Sequence, residues 1–375
     1  MGQWLLFCVI GLFYACQSGP SRSEKEHEIV SSKSFVDFGE NLITPKTFNL
    51  TISKYKDKNA HIFIDPNLQI VISDLDKKLL IDIIPLKRGD GPKQLQLHPN
   101  KAIPIFDDHF LITSLTHFYI VNNKGEVVKK TDLQNSVIGK LGEKYHEFFL
   151  SGALTAYPRT DEGDIIIQLK RNFSVNLIHT IPYPIFPHFL KLQIDPENWE
   201  FNFEQLPIFF PEEFIKSPDL SYKNNENPSY SVSGNFLIYQ YSFSSKVFFY
   251  DFTSGKTRNI MLNPSSGDNF SPPDRRPLAN FESTSFGLPY IDEVNHIIYR
   301  IRTIINLEDG MENQRYLDLF YEDGELLKEY YLGKNKDLLY SGFFGFKDQY
   351  NLTPFEPSTS DEHLEFFQYK LVEKN

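Results

Sequence analysis

Apolar and polar positions alternate along this chain in one recurring order: a short apolar strand, a tight polar turn, then a second apolar strand. The pattern occurs at QIVISDLDKKLLIDIIPL (69–86), HFYIVNNKGEVVKKTDL (117–133), KLQIDPENWEFNFEQL (191–206), VFFYDFTSGKTRNIML (247–262) and RYLDLFYEDGELLKEYYL (315–332). Internal repetition of this kind signals one supersecondary unit stacked beside copies of itself around a shared core.

The turns set the register. Lys77, Gly125, Asn198, Gly255 and Gly324 mark the hairpin centres, unevenly spaced, so the repeats carry insertions. A second series lies upstream of each hairpin, at Asp107-Asp108, Glu162-Gly163, Ser233-Gly234, Val294-Asn295 and Lys347-Asp348. Gly, Asn and Asp suit such places because they tolerate the positive φ of tight hairpin turns. Two interleaved turn series imply four strands per repeat, which is the blade of a β-propeller. After Lys347-Asp348 only LEFFQYKL (364–371) remains, so the outer strand missing there is expected from the N-terminal run LITPKTFNLTI (42–52). The expected fold is all-β: a six-bladed β-propeller of four-stranded antiparallel blades, closed by pairing N-terminal and C-terminal strands. Closure of that kind removes two free sheet edges. A pair of β-sandwiches is the structural alternative, since it too shows many short strands and frequent turns.

Composition favours strands over helices. The chain holds 34 Phe and 20 Tyr but only 6 Ala. Aromatic side chains fit a pleated, half-buried surface, whereas Ala is the best helix former. Its 375 residues would suggest two or three domains by length alone. A propeller instead grows by adding blades to one ring.

The N-terminus reads as a targeting segment. Residues 4–14, WLLFCVIGLFY, form an apolar run ending at Ala15-Cys16 and followed by QSGPSRSEKEHE. The run is shorter than the ~20 residues that cross a bilayer, which points to a secretory signal. A cysteine just after such a run, preceded by a small residue, is similar to a bacterial lipobox, in which the cysteine is lipidated and becomes the first mature residue. Phe13 replaces the usual Leu, and no Lys or Arg precedes the apolar run. An ordinary cleaved signal peptide with an incidental Cys16 is the alternative. The expected organisation is a signal peptide over 1–15, a lipidated Cys16 with a flexible tether over 16–34, and a propeller over 35–375. The polar tether would span roughly 20–25 Å. The expected location is the cell envelope, lipid-anchored at the outer membrane and facing the periplasm or the surface.

The only 2 cysteines, Cys8 and Cys16, lie in this segment. The body therefore has no disulfide and no thiol nucleophile, and its stability rests on its core. The net charge is −11, with no run of Lys or Arg beyond short pairs. Nucleic-acid binding depends on neutralising phosphates, so that class is set aside.

The signal ending FYACQS, hairpins such as FYIVNNKGEVVKK and FFYDFTSGKT, and the turn LKRGDGPKQL together resemble the Bacteroidetes-type lipoproteins built as six-bladed propellers, which include families of unknown function. TolB-like propellers are similar at fold level. The resemblance covers the mature chain and implies fold and location. It implies no reaction, because fold does not fix function.

Motifs that carry chemistry are absent: there is no GxSxG elbow, HExxH helix, Walker loop or acidic calcium loop in the sequence. Gly89-Asp90-Gly91-Pro92 lacks the ending of a phosphate loop and reads as a turn between blades. Three long stretches exceed what blade turns need: HTIPYPIFPHF (179–189), residues 207–228, and NPSSGDNFSPPDRRPLANFESTSFG (263–287). Ligand sites favour loops held on a rigid scaffold. Tyr157, Arg159, Arg275 and Arg276 are therefore the candidate binders of an anionic or sugar-like ligand, against the plainer reading that these arginines make surface salt bridges. His179 and His188 are expected to be loop histidines and not zinc ligands. No metal is indicated, although calcium held by scattered oxygen ligands has no linear motif. The functional expectation is a tethered binding or scaffold module for an envelope protein or an extracellular ligand. The alternative is a metal-dependent hydrolase or lyase working at the channel mouth.

Overall fold

The computed structural model describes residues 27–41, 43, 51–106, 108–114, 116–132, 136, 148–150, 156–158, 163–171, 187, 189–211, 228–266, 283–306, 312–334, 340–354 and 363–373. These residues are all-β, with no α-helix among them. None forms a helix long and apolar enough to cross a membrane.

The chain enters through β1 (His27–Asp37), then forms a first antiparallel meander from β2 (Thr51–Tyr55), β3 (Lys58–Ile64), β4 (Gln69–Asp74) and β5 (Leu79–Pro85). The second is β6 (Lys101–Ile105), β7 (His109–Thr113), β8 (His117–Asn122) and β9 (Val127–Asp132). In the third, β10 (Phe148–Leu150) and β11 (Ala156–Pro158) both pair with β12 (Ile165–Arg171), followed by β13 (Phe189–Ile194) and β14 (Phe201–Leu206). The fourth is β15 (Ser229–Ser233), β16 (Phe236–Gln240), β17 (Lys246–Asp251) and β18 (Lys256–Met261). The fifth pairs β19 (Ser283–Phe286) and β20 (Tyr290–Asp292) with β21 (Ile297–Ile305), then β22 (Gln314–Tyr321) and β23 (Leu326–Lys334). The terminal meander is β24 (Tyr340–Phe346), β25 (Gln349–Pro354) and β26 (His363–Glu373). All five hairpins legible in the sequence are present.

One expectation is corrected. The strand that completes the terminal meander is β1, which pairs antiparallel with β26 from His27↔Glu373 to Asp37↔His363. Of the run 42–52 expected there, Thr51 and Ile52 begin β2 inside the first meander, and residues 42 and 44–50 lie outside the described residues. β1 also begins at His27, within the span read as tether. It meets β5 through a single parallel pair, Asp37↔Leu79, which joins the first and terminal meanders into an 8-stranded sheet.

Turn chemistry explains why the hairpins form where they do. The Asp74 carboxylate accepts from the backbone N–H of Asp76 and Lys77, and Asn122 Oδ1 accepts from Lys124 and Glu126. Asp195 caps Glu197 N–H, Asp251 caps Thr253 N–H and Asp323 caps Glu325 N–H. An Asx side chain opening the turn, or within it at Asp323, satisfies the donors that the reversal would otherwise orphan.

Burial follows position within each meander. The middle strands are apolar through most of their length, as in FLIYQ and KVFFYD of β16 and β17, while the outer β18, KTRNIM, is almost wholly exposed. Middle strands are covered on both faces because each meander packs on the next. Ile62 and Ile72 share one apolar cluster with Phe110 and Tyr119, Leu111 shares another with Ile167 and Leu190, and the Phe189 ring lies 5.8 Å from that of Tyr239. Phe249 clusters with Ile298 and Phe320, and Leu319 with Tyr350 and Tyr369. Val36 and Leu364 of the terminal meander close on Phe63 and Val71 of the first. Fully burying each such side chain contributes ~1.5–3 kcal/mol.

Candidate functional site

The hairpin turns differ at one residue, and that difference opens the site. In three hairpins the left-handed turn position is glycine: Gly125 at φ 74, Gly255 at φ 67 and Gly324 at φ 92. A Cβ on Gly125 would lie 1.7 Å from the Pro85 carbonyl oxygen of the preceding meander. In the other two hairpins the position keeps a side chain, Lys78 at φ 59 and Trp199 at φ 60. A non-glycine residue there costs ~1–2 kcal/mol of backbone strain.

The Trp199 side chain reaches the upstream turn of the preceding meander, where Phe106 is also left-handed at φ 54, whereas Lys78 reaches β1 and β26 and it is Asp76 that meets the left-handed Lys347, φ 54, of the terminal meander's upstream turn. The two junctions share a left-handed residue on each side but differ in the upstream turn, which links Ile105 to His109 at one and Phe346 to Gln349 at the other. At the junction of the second and third meanders, the Trp199 indole lies 4.5 Å from the His109 ring and 6.0 Å from Phe106, and fills the space. At the junction of the terminal and first meanders, Lys78, Lys347 and Gln349 stand in the corresponding places. A cavity of about 180 Å³ remains there, lined by Leu75, Asp76, Lys78, Lys347, Gln349, Asn351, Phe366 and Gln368.

The cavity has a charged rim, amide walls and an apolar floor. Lys347 Nζ pairs with the Asp76 carboxylate at the rim, and Asn59 Nδ2 donates to the same carboxylate at 2.9 Å. Those two hydrogen bonds, Lys347 first, hold the Asp76 carboxyl below the usual carboxylate range. Lys78 Nζ donates to Ser34 Oγ of β1 and to Gln368 Oε1 of β26, both neutral acceptors. Gln368 Nε2 in turn donates to Gln349 Oε1 at 2.7 Å. Leu75 and Phe366 are 5% and 2% exposed and belong to the apolar cluster beneath. Against Phe63 of that cluster lies the ring of His61, 5.4 Å away, whose Nδ1 faces Ser73 Oγ at 3.4 Å. Burial pushes the His61 imidazole down to about 3, so it is neutral at physiological pH.

Of the residues singled out in the sequence, Tyr157 lies in β11 opposite Ile166 of β12. Arg159, Arg275, Arg276, Cys16, His179 and His188 lie outside the described residues. The turn at Gly89-Pro92 does connect the first two meanders, with Gly89 N–H donating to Leu95 O at 3.0 Å. Among the described residues, no group of three or more His, Cys, Asp or Glu is placed to hold a metal ion.

The root of the 263–287 stretch is described, and it is braced. Arg300 and Arg302 of β21 are fully buried beside the fully buried Asp318 of β22. Arg302 forks onto the Asp318 carboxylate at 2.9 and 3.1 Å and reaches Glu329 at 2.6 Å. It also donates to Ser266 O at 2.9 Å, and Arg300 donates to Leu262 O at 2.9 Å and Ser245 O at 3.3 Å. Phe286, Phe320 and Tyr316 cover the guanidinium faces. Burial lowers the Arg300 guanidinium to about 10, which leaves it charged at neutral pH.

Sequence reasoning missed Lys78, Lys347 and Gln349. The available signal was a missing glycine: DLDKK and DPENWE are the two hairpin turns without Gly.

No family model matches the chain, and no curated protein matches it significantly. Solved structures do resemble it. A member of the DUF4221 family from Bacteroides vulgatus is similar with a TM-score of 0.65 and 14% identity, over 93% of this chain and 99% of that one. A candidate exported protein from Bacteroides fragilis is similar with a TM-score of 0.51 and 8% identity, over 92% of this chain and 96% of that one. The β-propeller domain of Cps50 (Swd1) from Myceliophteria thermophila matches with a TM-score of 0.38 and 8% identity, over 91% of this chain and 100% of that one. The first two likenesses establish a shared all-β fold along nearly the whole chain; the third is too distant to place it.

Proposed function

We propose that this chain is an envelope lipoprotein whose body, a six-bladed β-propeller closed by β1 against β26, serves as a binding module for a small solute held in the cavity between its terminal and first meanders. One observation carries the reading. At two junctions that each set a left-handed hairpin residue near a left-handed upstream-turn residue, one carries the Trp199 ring against His109 and Phe106, while the other holds a cavity lined by polar groups. A gap left in a core would be apolar and unstable; a polar gap with a firm floor is how binding pockets are made. Four-stranded meanders, each packed on the next through its own apolar cluster, support the six-bladed ring. The FYACQS segment supports lipidation at Cys16 and an outer-membrane location, with the membrane as one partner and an envelope protein or extracellular ligand as another.

Two measurements test this. Replacing Cys16→Ala is expected to abolish palmitate labelling and release the chain from the membrane pellet. Unchanged labelling would end the lipoprotein reading. For the binding module, thermal unfolding of the detergent-purified full chain is followed against a panel of small acids, amines, neutral sugars and nucleotides. A saturable rise in Tm from one chemical class is expected, and no rise from any class would end the binding reading.

A further inference from the structure

The cavity's chemistry defines its occupant. Two ammonium groups, Lys78 and Lys347, and one carboxylate, Asp76, line it. Asp76 is already committed to Lys347 and Asn59. Among the described residues, Lys78 donates to a hydroxyl and an amide oxygen and to no carboxylate, so its charge has no countercharge among those hydrogen-bond partners. One net positive charge calls for one negative charge on the ligand.

The walls add a second requirement. Gln349, Asn351 and Gln368 present amides, which both donate and accept, and so suit groups that do the same. Hydroxyl groups meet that condition; bare hydrocarbon and phosphate do not. The buried Phe366 ring and Leu75 supply a floor that suits a face of C–H bonds. Size sets the last limit. A cavity of about 180 Å³ is smaller than the ~300–1,000 Å³ of drug-sized sites. It would hold about six waters at ~30 Å³ each, which is the bulk of a single six-membered ring with its substituents.

Resting on the binding reading above, we propose that the pocket takes a hydroxylated monocarboxylate of single-sugar size, the sugar-acid class. Its carboxylate lies against Lys78 and Lys347, its hydroxyls on the three amides and its C–H face on Phe366. Lys78 is the residue that defines the class. It occupies a left-handed position where three sister turns have glycine, so its side chain is retained against the backbone preference of the site.

That same fact supplies a clean variant. Lys78→Gly removes the ammonium while relieving the backbone, and leaves a turn already used at Gly125, Gly255 and Gly324. The experiment is titration calorimetry of the detergent-purified full chain with glucuronate, galacturonate and gluconate, with glucose and acetate as neutral and unhydroxylated controls. At least one sugar acid is expected to bind saturably, with glucose and acetate at least tenfold weaker. Lys78→Gly is expected to raise the Kd of the acid at least tenfold while its Tm stays within a few degrees of the parent. Sugar acids that fail, or that bind Lys78→Gly as tightly as the parent, overturn the assignment. If a solute of another class binds and Lys78→Gly abolishes that binding, the ligand class falls while the binding module stands. If nothing in either panel binds, both fall.

Discussion

Two charged clusters sit where meanders meet, and they are opposites in construction. At the junction of the fourth and fifth meanders, Arg300, Arg302 and Asp318 are 0% exposed and aromatic rings cover the guanidiniums. At the junction of the terminal and first meanders, the Lys347 and Asp76 side chains are 56% and 38% exposed and open onto a cavity. The first cluster is buried, with all its guanidinium donors but Arg300 Nε spent on carboxylates, on the Ser266 hydroxyl and on the carbonyls of Ser245, Leu262 and Ser266, and it positions backbone. The second is open to solvent, with two lysines and one aspartate lining its cavity. Burial therefore separates an ion pair that builds the protein from one that solvent screens.

The sharpest way to break this contrast is Asp318→Ala. It leaves the buried Arg300 guanidinium without a carboxylate and Arg302 with Glu329 alone, and a loss of about 3–5 kcal/mol is expected. Urea unfolding reads it as a fall in midpoint at constant m. Replacing Arg300→Met, Arg302→Leu and Asp318→Leu together is expected to recover most of that loss. A triple variant as unstable as the single one would show that the network's geometry, and not its charge balance, holds the junction.

Acid distinguishes the two junctions next. His61 lies beneath the open one, with its imidazole lowered by burial from 6.5 to about 3. A histidine depressed in the folded state binds its proton more readily unfolded. Its contribution is therefore complete above pH 6.5 and is lost as pH falls toward 3, at up to about 1.4 kcal/mol per pH unit. Arg300 stays charged throughout that window, since burial takes it no lower than about 10. His61→Gln is expected to flatten the stability profile between pH 6.5 and 3, read by urea midpoints at several pH values. An unchanged slope would assign the acid loss to other groups.

The smallest effect is expected at the exposed pair. Lys347→Ala should cost under about 1 kcal/mol and less in high salt, because solvent screens it. A larger loss, unaffected by salt, would show that the open junction is as structural as the closed one.

How far the sequence spoke depended on burial. The five hairpins were legible because their apolar strands alternate with Asx and glycine turns, as at Asp251 and Gly255. The closing strand was not, because HEIVSSKSFVD is the outer strand of its meander: Val30 is 43% and Phe35 57% exposed, and only Ser34 and Val36 are buried within it among the residues whose burial is described. Residues 42–52 carry a stronger apolar signal and misled for that reason. Arg300 and Asp318 were invisible as partners because their pairing follows from β21–β22 register and not from any local motif. The open junction could be read only as an absence, the missing glycine in DLDKK.

The pairing of β1 with β26 also sets a schedule for synthesis. β1 is made before every other described strand and its partner after them all, so the first strand must wait for the rest of the fold to be laid down. Until it docks, β26 presents a bare row of hydrogen-bonding groups, and Val36 stays out of the apolar cluster that joins the terminal and first meanders. Long-range closure of this kind is slow. The interval before the two strands meet is the period in which a newly made copy is most exposed to pairing with the strand of another molecule.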